Sequence, residues 1–154
     1  MPWHLERSLV IPRPRPEVFA FFSDAASLER ITPSYLRFHV LTPAPIAMHP
    51  GALIDYELRL YGFGFRWQTR IEAFAPPLSF VDIQLKGPYK LWHHRHDFEE
   101  APGGTRMRDR VDYDLPFGPL GVLARSLFVR RSVEQIFEYR NRTILKIFAQ
   151  PPRR

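Results

Sequence analysis

The segment Trp92-His93-His94-Arg95-His96-Asp97-Phe98 holds the residues best equipped to do chemistry. On a β-strand alternate side chains share a face, which lines up Trp92, His94, His96 and Phe98. On the core-facing side of a sheet these two imidazoles are buried between two aromatics, and buried polar rings need partners. With a carboxylate beside it, such an imidazole moves a proton near neutral pH, orients a carbonyl or hydroxyl group, or ligates a metal. A turn at Ala101-Pro102-Gly103-Gly104 pairs this strand with the next in one register. It sets Phe98 opposite Met107, His96 opposite Asp109 and Trp92 opposite Tyr113. Directly opposed residues have Cβ atoms about 4.5–5.5 Å apart. His96 and Asp109 are therefore the expected pair, the carboxylate fixing the imidazole tautomer and raising its pKa. A slip of one residue would abolish it.

Three readings of His94, His96 and Asp109 stay open on the residues alone. They form a hydrogen-bonded patch closing one end of the sheet, or they orient the polar atom of a ligand, or they carry out acid–base or metal chemistry. A catalytic zinc takes three protein ligands. Asp109 is the nearest third candidate, while His4, His39 and His49 lie on other segments, so no metal is expected. Tyr56 and Trp67 fall on inward-reading faces. With Trp92, His94, His96, Phe98, Asp109 and Tyr113 they complete the candidate ligand-contact set. Asp82 and Gln84 are weaker polar candidates: simple alternation sends Val81, Ile83 and Leu85 inward instead, and the position of the strand in the sheet decides which face is buried. No serine sits in a nucleophile elbow, and no Gly-rich loop is built to cradle phosphate. Nucleophilic catalysis, nucleotide binding and a resident cofactor are accordingly not expected.

The elements that must position these residues follow from periodicity. Leu5 to Ile11 reads as a strand, ended by Pro12, Pro14 and Pro16. Pro16 and Glu17 suit the first turn of a short helix carrying Val18, Phe19, Phe21 and Phe22. Ser23-Asp24 breaks it, and a second short helix runs from Ala25 to Ile31. From Leu36 the period becomes two: Leu36, Phe38 and Val40 predict a half-buried strand. Ile54 to Leu60, Phe65 to Ile71, Phe80 to Leu85, the histidine strand and Met107 to Tyr113 then make an antiparallel meander with one wet face. Beyond Gly118, Leu120, Leu123, Leu127, Ile136, Phe137, Ile144 and Phe148 recur at helical spacing. This predicts one helix of roughly 40 Å at 1.5 Å per residue. The fold class is α+β: a curved antiparallel sheet wrapped around a long C-terminal helix, with two short helices after strand 1. The space between sheet and helix is a natural cavity, which Phe117, Phe128 or Phe137 could fill.

This order of elements resembles the START-like (SRPBCC, helix-grip) superfamily, in its bacterial ligand-binding and polyketide cyclase-dehydrase-like branch. The resemblance rests on Ile31-Thr32-Pro33, Phe80-Val81-Asp82-Ile83-Gln84 with Gly87-Pro88, and the alternating Trp92, His94, His96, Phe98. Gly104-Thr105 with Met107, Asp109, Val111 and Tyr113, then Leu115-Pro116-Phe117-Gly118, extend it over nearly the whole chain. It implies a cavity for a hydrophobic small molecule, lipid-like or aromatic and polyketide-like. The alternative it implies is a cyclase or dehydratase using His96 and Asp109 as general acid/base. The superfamily mixes binders and enzymes, so the fold does not choose between them.

Composition bounds the remainder. The 154 residues suit a single domain over 1–150 followed by a basic tail at 151–154. There is no cysteine, which removes disulfides, zinc-thiolate sites and thiol nucleophiles. The N-terminus lacks the apolar core of a signal peptide, and a cytoplasmic protein without membrane insertion is expected. Net charge is +6, yet residues 1–116 carry 14 basic and 14 acidic side chains. All the excess lies in 117–154, with eight basic residues against Glu134 and Glu138. No nucleic-acid signature accompanies it, and a solvated basic helix face is the simpler reading.

Overall fold

The computed structural model of the chain describes residues 2–149; the basic tail expected at 151–154 lies outside the described residues. The order of elements is β1 (Trp3–Ile11), α1 (Arg15–Phe22), α2 (Ala25–Ile31), a 3₁₀ turn (Ser34–Leu36), β2 (His39–Val40), β3 (Leu53–Leu60), β4 (Phe63–Ala75), β5 (Ser79–Lys86), β6 (Leu91–Ala101) and β7 (Gly104–Asp114). A helical rod follows: α3 (Pro119–Ala124), a π turn (Arg125–Val129) and α4 (Arg130–Ala149). The strands form a seven-stranded antiparallel sheet ordered β1-β7-β6-β5-β4-β3-β2. This is the helix-grip architecture.

Local chemistry explains most boundaries. The three prolines between Ile11 and Glu17 end β1, because each lacks the N–H that a strand ladder uses. The Ser23 hydroxyl donates to the Phe19 carbonyl at 2.8 Å where α1 stops. The Asp24 carboxylate accepts from the Ala26 N–H at 3.0 Å and caps α2. The strand expected over Leu36–Val40 shrinks to His39–Val40. After Pro33 the chain turns instead: the Leu36 N–H donates to Pro33 and the Arg37 N–H to Ser34, both at 3.1 Å. Arg37 then adopts a left-handed conformation, φ 45°. These local bonds satisfy groups that a longer strand would have offered to a neighbour.

Register in the β6–β7 hairpin matches the sequence reading, with His96 opposite Asp109, Phe98 opposite Met107 and Trp92 opposite Tyr113. Gly104 lies beside β1 so closely that a Cβ there would collide with the Ile11 carbonyl. Between β4 and β5 the register shifts twice, between Gln68 and Thr69 and between Ile71 and Ala73. Irregularities of this kind bend strands and curl a sheet.

The concave face packs on the helices through three apolar clusters. Ile11, Val18, Phe19, Phe22, Phe98, Met107 and Ile144 fill one end. Leu5, Val111, Tyr113, Val133 and Phe137 join β1 and β7 to α4. Ala25, Ile54, Tyr56 and Ile71 close the other side. Along α4 the buried stripe is Val133, Phe137, Arg140, Ile144 and Phe148, whose spacing of three or four residues keeps one face inward. The expected helix is continuous in path but widened by the π turn, where the Arg130 N–H donates to the Arg125 carbonyl. Its first turns depart from expectation, since Leu120, Leu123 and Leu127 are exposed rather than packed inward. Phe117 and Phe128 are exposed as well, and of the three candidate plugs only Phe137 is buried.

This difference between the two ends of the rod is measurable. Ile144→Ala deletes a fully buried side chain and should lower unfolding free energy by about 2–5 kcal/mol. Leu127→Ala should change it by less than about 0.5 kcal/mol. Urea unfolding of both variants checks this, and equal losses would contradict the packing described.

Candidate functional site

β6 presents the site. Alternation turns Trp92, His94, His96 and Phe98 to the concave side, and burial leaves His94 and His96 4% and 3% exposed. Their rings stack at 3.7 Å between centroids, and Phe80 of β5 stacks on His96 at 4.0 Å. A carboxylate flanks the imidazoles from each neighbouring strand. His96 Nε2 lies 2.6 Å from Asp82 Oδ2, and His94 Nε2 lies 2.7 Å from Asp109 Oδ1. Ionised carboxylates only accept, so each Nε2 carries the proton and donates it.

The partners differ from the pairing expected across the hairpin. Asp109 stands opposite His96 in the register, yet its hydrogen bond comes from His94. His96 Nδ1 is 3.4 Å from Asp109 Oδ1 and makes no hydrogen bond with it. Asp82, opposite His94, is bonded to His96 in turn. Both pairs are diagonals: stacking tilts the two rings along the strand, and sheet twist brings diagonal neighbours within reach. Asp82 itself faces inward, whereas alternation placed Val81, Ile83 and Leu85 there. Val81 is indeed buried, but Leu85 is exposed. Phe80 and Val81 are buried in succession, so both faces of β5 are covered at this end and alternation alone does not assign them. Gln84 brackets the following turn, its side chain accepting from the Tyr89 N–H and donating to the Tyr89 carbonyl.

Arg140 of α4 completes the cluster. Its guanidinium is buried with Nη2 3.9 Å from Asp109 Oδ1, and it lies over the Phe137 and Phe22 rings at 5.5 and 5.8 Å. Nε and Nη2 have no hydrogen-bond partner within the protein. The sequence carried a signal for it, an arginine at a buried position of the helical stripe.

Burial and neighbouring charge divide the protonation states. Burial, aided by the adjacent His96, lowers the His94 pKa to about 4 and keeps that ring neutral. Burial also opposes charge on His96, but the carboxylates of Asp109 and Asp82 outweigh it and raise the pKa above 6.5. For Asp109, burial favours the neutral acid, while Arg140 and the imidazoles hold it well below the usual carboxylate range. Asp82 behaves likewise, with the His96 hydrogen bond opposing the burial cost. With His96 protonated, the two carboxylates, Asp82 and Asp109, face two cations, His96 and Arg140, and the charges of the cluster cancel.

Asp82, His94 and His96 also bring three ligand-type atoms within 4.8 Å of one another. A metal about 2.1 Å from two imidazole nitrogens needs ring planes that converge on it. These planes are stacked, 27° from parallel, so their in-plane lone pairs run side by side. As built, the trio is suited to holding protons.

Above the cluster lies a cavity of about 170 Å³ between sheet and α4. Asp82, His94, His96 and Arg140 form its polar wall. Tyr56, Trp67, Phe80, Tyr89, Trp92, Ile136 and Phe137 are among its apolar lining. Of the candidate contacts, Tyr56, Trp67, Trp92, His94 and His96 therefore border it. Phe98, Asp109 and Tyr113 do not: Phe98 packs against Phe19 and Phe22, Tyr113 against Trp3 and Trp92, and Asp109 sits behind the histidines. Burial pushes the Tyr56 and Tyr89 phenols above their ordinary range.

Residues 11–138 match the family model described as polyketide cyclase / dehydrase and lipid transport. The chain belongs to this family. Among solved structures, Zhui aromatase/cyclase from a Streptomyces species aligns over 97% of this chain and 94% of its own, at 14% identity and TM-score 0.75. Protein CV1439 from Chromobacterium violaceum aligns over 96% and 98%, at 11% identity and TM-score 0.74. A nucleoside-diphosphate sugar epimerase from Corynebacterium glutamicum shares 24% identity over 92% of this chain but 28% of its own, at TM-score 0.66. No curated protein sequence gives a significant match. At these identities the likeness establishes the fold of this cyclase/dehydrase and lipid-transport family member, while its site must be read from its own residues.

The protonation pattern has a direct test in histidine NMR titration. One imidazole should remain neutral down to about pH 4, and another should remain charged above pH 6.5. Because His96 is raised, its contribution to stability is present below pH 6.5 and fades as pH climbs through the folded-state value. Asp82→Asn removes a carboxylate from His96 and should bring its titration to lower pH. Unperturbed titration of every histidine near 6.5 would contradict the cluster.

Proposed function

We propose that the protein binds a hydrophobic small molecule, lipid-like or aromatic and polyketide-like, in the cavity between sheet and α4. The observation that carries this reading is the division of the cavity lining: apolar and aromatic surroundings with one polar wall of Asp82, His94, His96 and Arg140. Sites for small molecules have this character, a mostly apolar hollow with a few fixed polar groups. Apolar cavities near 150 Å³ hold a benzene-sized guest, so about 170 Å³ suits a ring or a short length of chain. The apolar walls supply affinity, and the polar wall selects the orientation of an oxygen on the ligand.

Proton transfer is the second reading, favoured by one feature. His96 shares its Nε2 proton with the half-buried Asp82, and both border the cavity, so a proton held between them can pass through Asp82 Oδ2 to a bound carbonyl or leaving hydroxyl. Asp82 would then be the carboxylate partner of His96, the part first assigned to Asp109. This is the chemistry of a cyclase or dehydratase.

Two measurements separate the readings. In displacement of a fluorescent apolar probe, Trp92→Ala should weaken binding about tenfold or more by removing aromatic lining. Arg108→Ala, on the outer face beside Glu6 and Glu99, should leave it unchanged. Equal affinities would end the binding model. With an aromatic polyketide mimic as substrate, His96→Ala should lower turnover about 100-fold or more if His96 transfers a proton. Binding with no turnover in the unaltered protein would leave the carrier reading alone.

A further inference from the structure

The exposed end of the helical rod is apolar to a degree that neither the core nor the cavity explains. Leu120, Leu123, Leu127 and Phe128 are 71, 55, 59 and 58% exposed. Positions 120, 123 and 127 share one helical face. The tip of the β3–β4 hairpin joins them: Tyr61 and Phe63 are 61 and 70% exposed, and the Tyr61 ring lies 6.3 Å from that of Phe128. Contiguous apolar surface of this kind marks an interaction site.

We propose that this face docks the protein on an anionic lipid membrane, the leucines and aromatics entering the interface while arginines meet the headgroups. Charge decides the occupant. The net positive charge of the chain comes wholly from residues 117–154. Arg130 and Arg131 are exposed in the first turn of α4, next to Leu127 and Phe128 in the chain, with Arg130 also 3.3 Å from Glu134, while Arg125 packs over the Trp3 ring. On the hairpin, Arg59 and Arg66 are exposed beside the tip. An apolar helix face bordered by arginines is the pattern of a segment lying in the membrane interface. A two-fold contact with a second copy would set the same arginines against one another. Nucleic acid would use the charge and leave the apolar side chains in water. Among the described residues no helix is long and apolar enough to cross a membrane, so the contact is peripheral.

Position adds a consequence. Leu60 and Tyr89 line both the ligand cavity and the surface groove beneath the hairpin tip. Docking through this face brings one end of the cavity against lipid, where an apolar molecule can exchange with little exposure to water. That consequence rests on the binding function proposed above. The docking itself does not, because it concerns the outer surface and is read without any ligand.

The test is co-sedimentation of the full chain with vesicles of phosphatidylcholine alone, or with about one third phosphatidylglycerol, at low and high salt. The expected result is binding to the anionic vesicles at least tenfold tighter than to the neutral ones, weakened as salt rises. Leu127→Gln with Phe128→Gln should abolish binding while leaving the thermal unfolding curve in place, since both side chains are exposed. Arg130→Gln with Arg131→Gln should lower affinity about tenfold. Absence of vesicle binding overturns the proposal, as does undiminished binding by Leu127→Gln/Phe128→Gln. A stable dimer that these substitutions dissociate would assign the face to a second copy instead.

Discussion

Two carboxylates, two imidazoles and a guanidinium meet in one cluster beside the cavity, and each needs the others. Asp82 comes from β5, His94 and His96 from β6, Asp109 from β7 and Arg140 from α4. Removing a charged group from water costs several kcal/mol unless opposite charge and hydrogen bonds replace the solvent. Here these groups meet only when three adjacent strands keep their register and α4 lies across them with Arg140 inward. The cluster thus ties the chemistry of the site to the alignment of sheet and helix. A buried ion network is weak evidence of stability gained, but removing one member leaves an uncompensated charge.

Around that constraint the fold separates three tasks. One apolar cluster near α1 and α2, including Phe98 and Ile144, closes an end of the sheet. The register shifts of β4 against β5 bend the sheet so that Tyr56 and Trp67 face across the hollow toward α4. The rod before Arg130, which includes the π turn, leaves Leu120, Leu123, Leu127 and Phe128 exposed to solvent. Membership in the cyclase/dehydrase and lipid-transport family agrees with such a hollow. The family description spans enzymes and carriers, and the wall of Asp82, His94, His96 and Arg140 is the part of this chain on which that choice depends.

Legibility in the sequence followed physical lines. The hairpin register could be read because Gly103-Gly104 fixes the turn and both strands alternate cleanly. The same alternation turns Trp92, His94 and His96 to the side that borders the cavity. The face of Asp82 stayed open, because alternation marks a buried face only where the opposite face is wet, and Val81 is buried beside it. Register names opposed backbones, whereas twist and ring stacking chose diagonal partners for His94 and His96. Phe98 and Tyr113 share a face with the site residues but belong to neighbouring clusters, a distinction of depth that periodicity does not carry. The leucines before Arg130 repeat like a core stripe, and only their exposure in the fold shows that nothing covers them.

The most direct test of the central claim is a crystal structure of the protein soaked with a single-ring aryl ketone. The ring should lie among Trp67, Trp92 and Phe137, with the ketone oxygen within hydrogen-bond distance of Arg140 or His96. A ketone held only on the outer surface at saturating concentration, or seated in the cavity with its oxygen turned away from this wall, would contradict the site described.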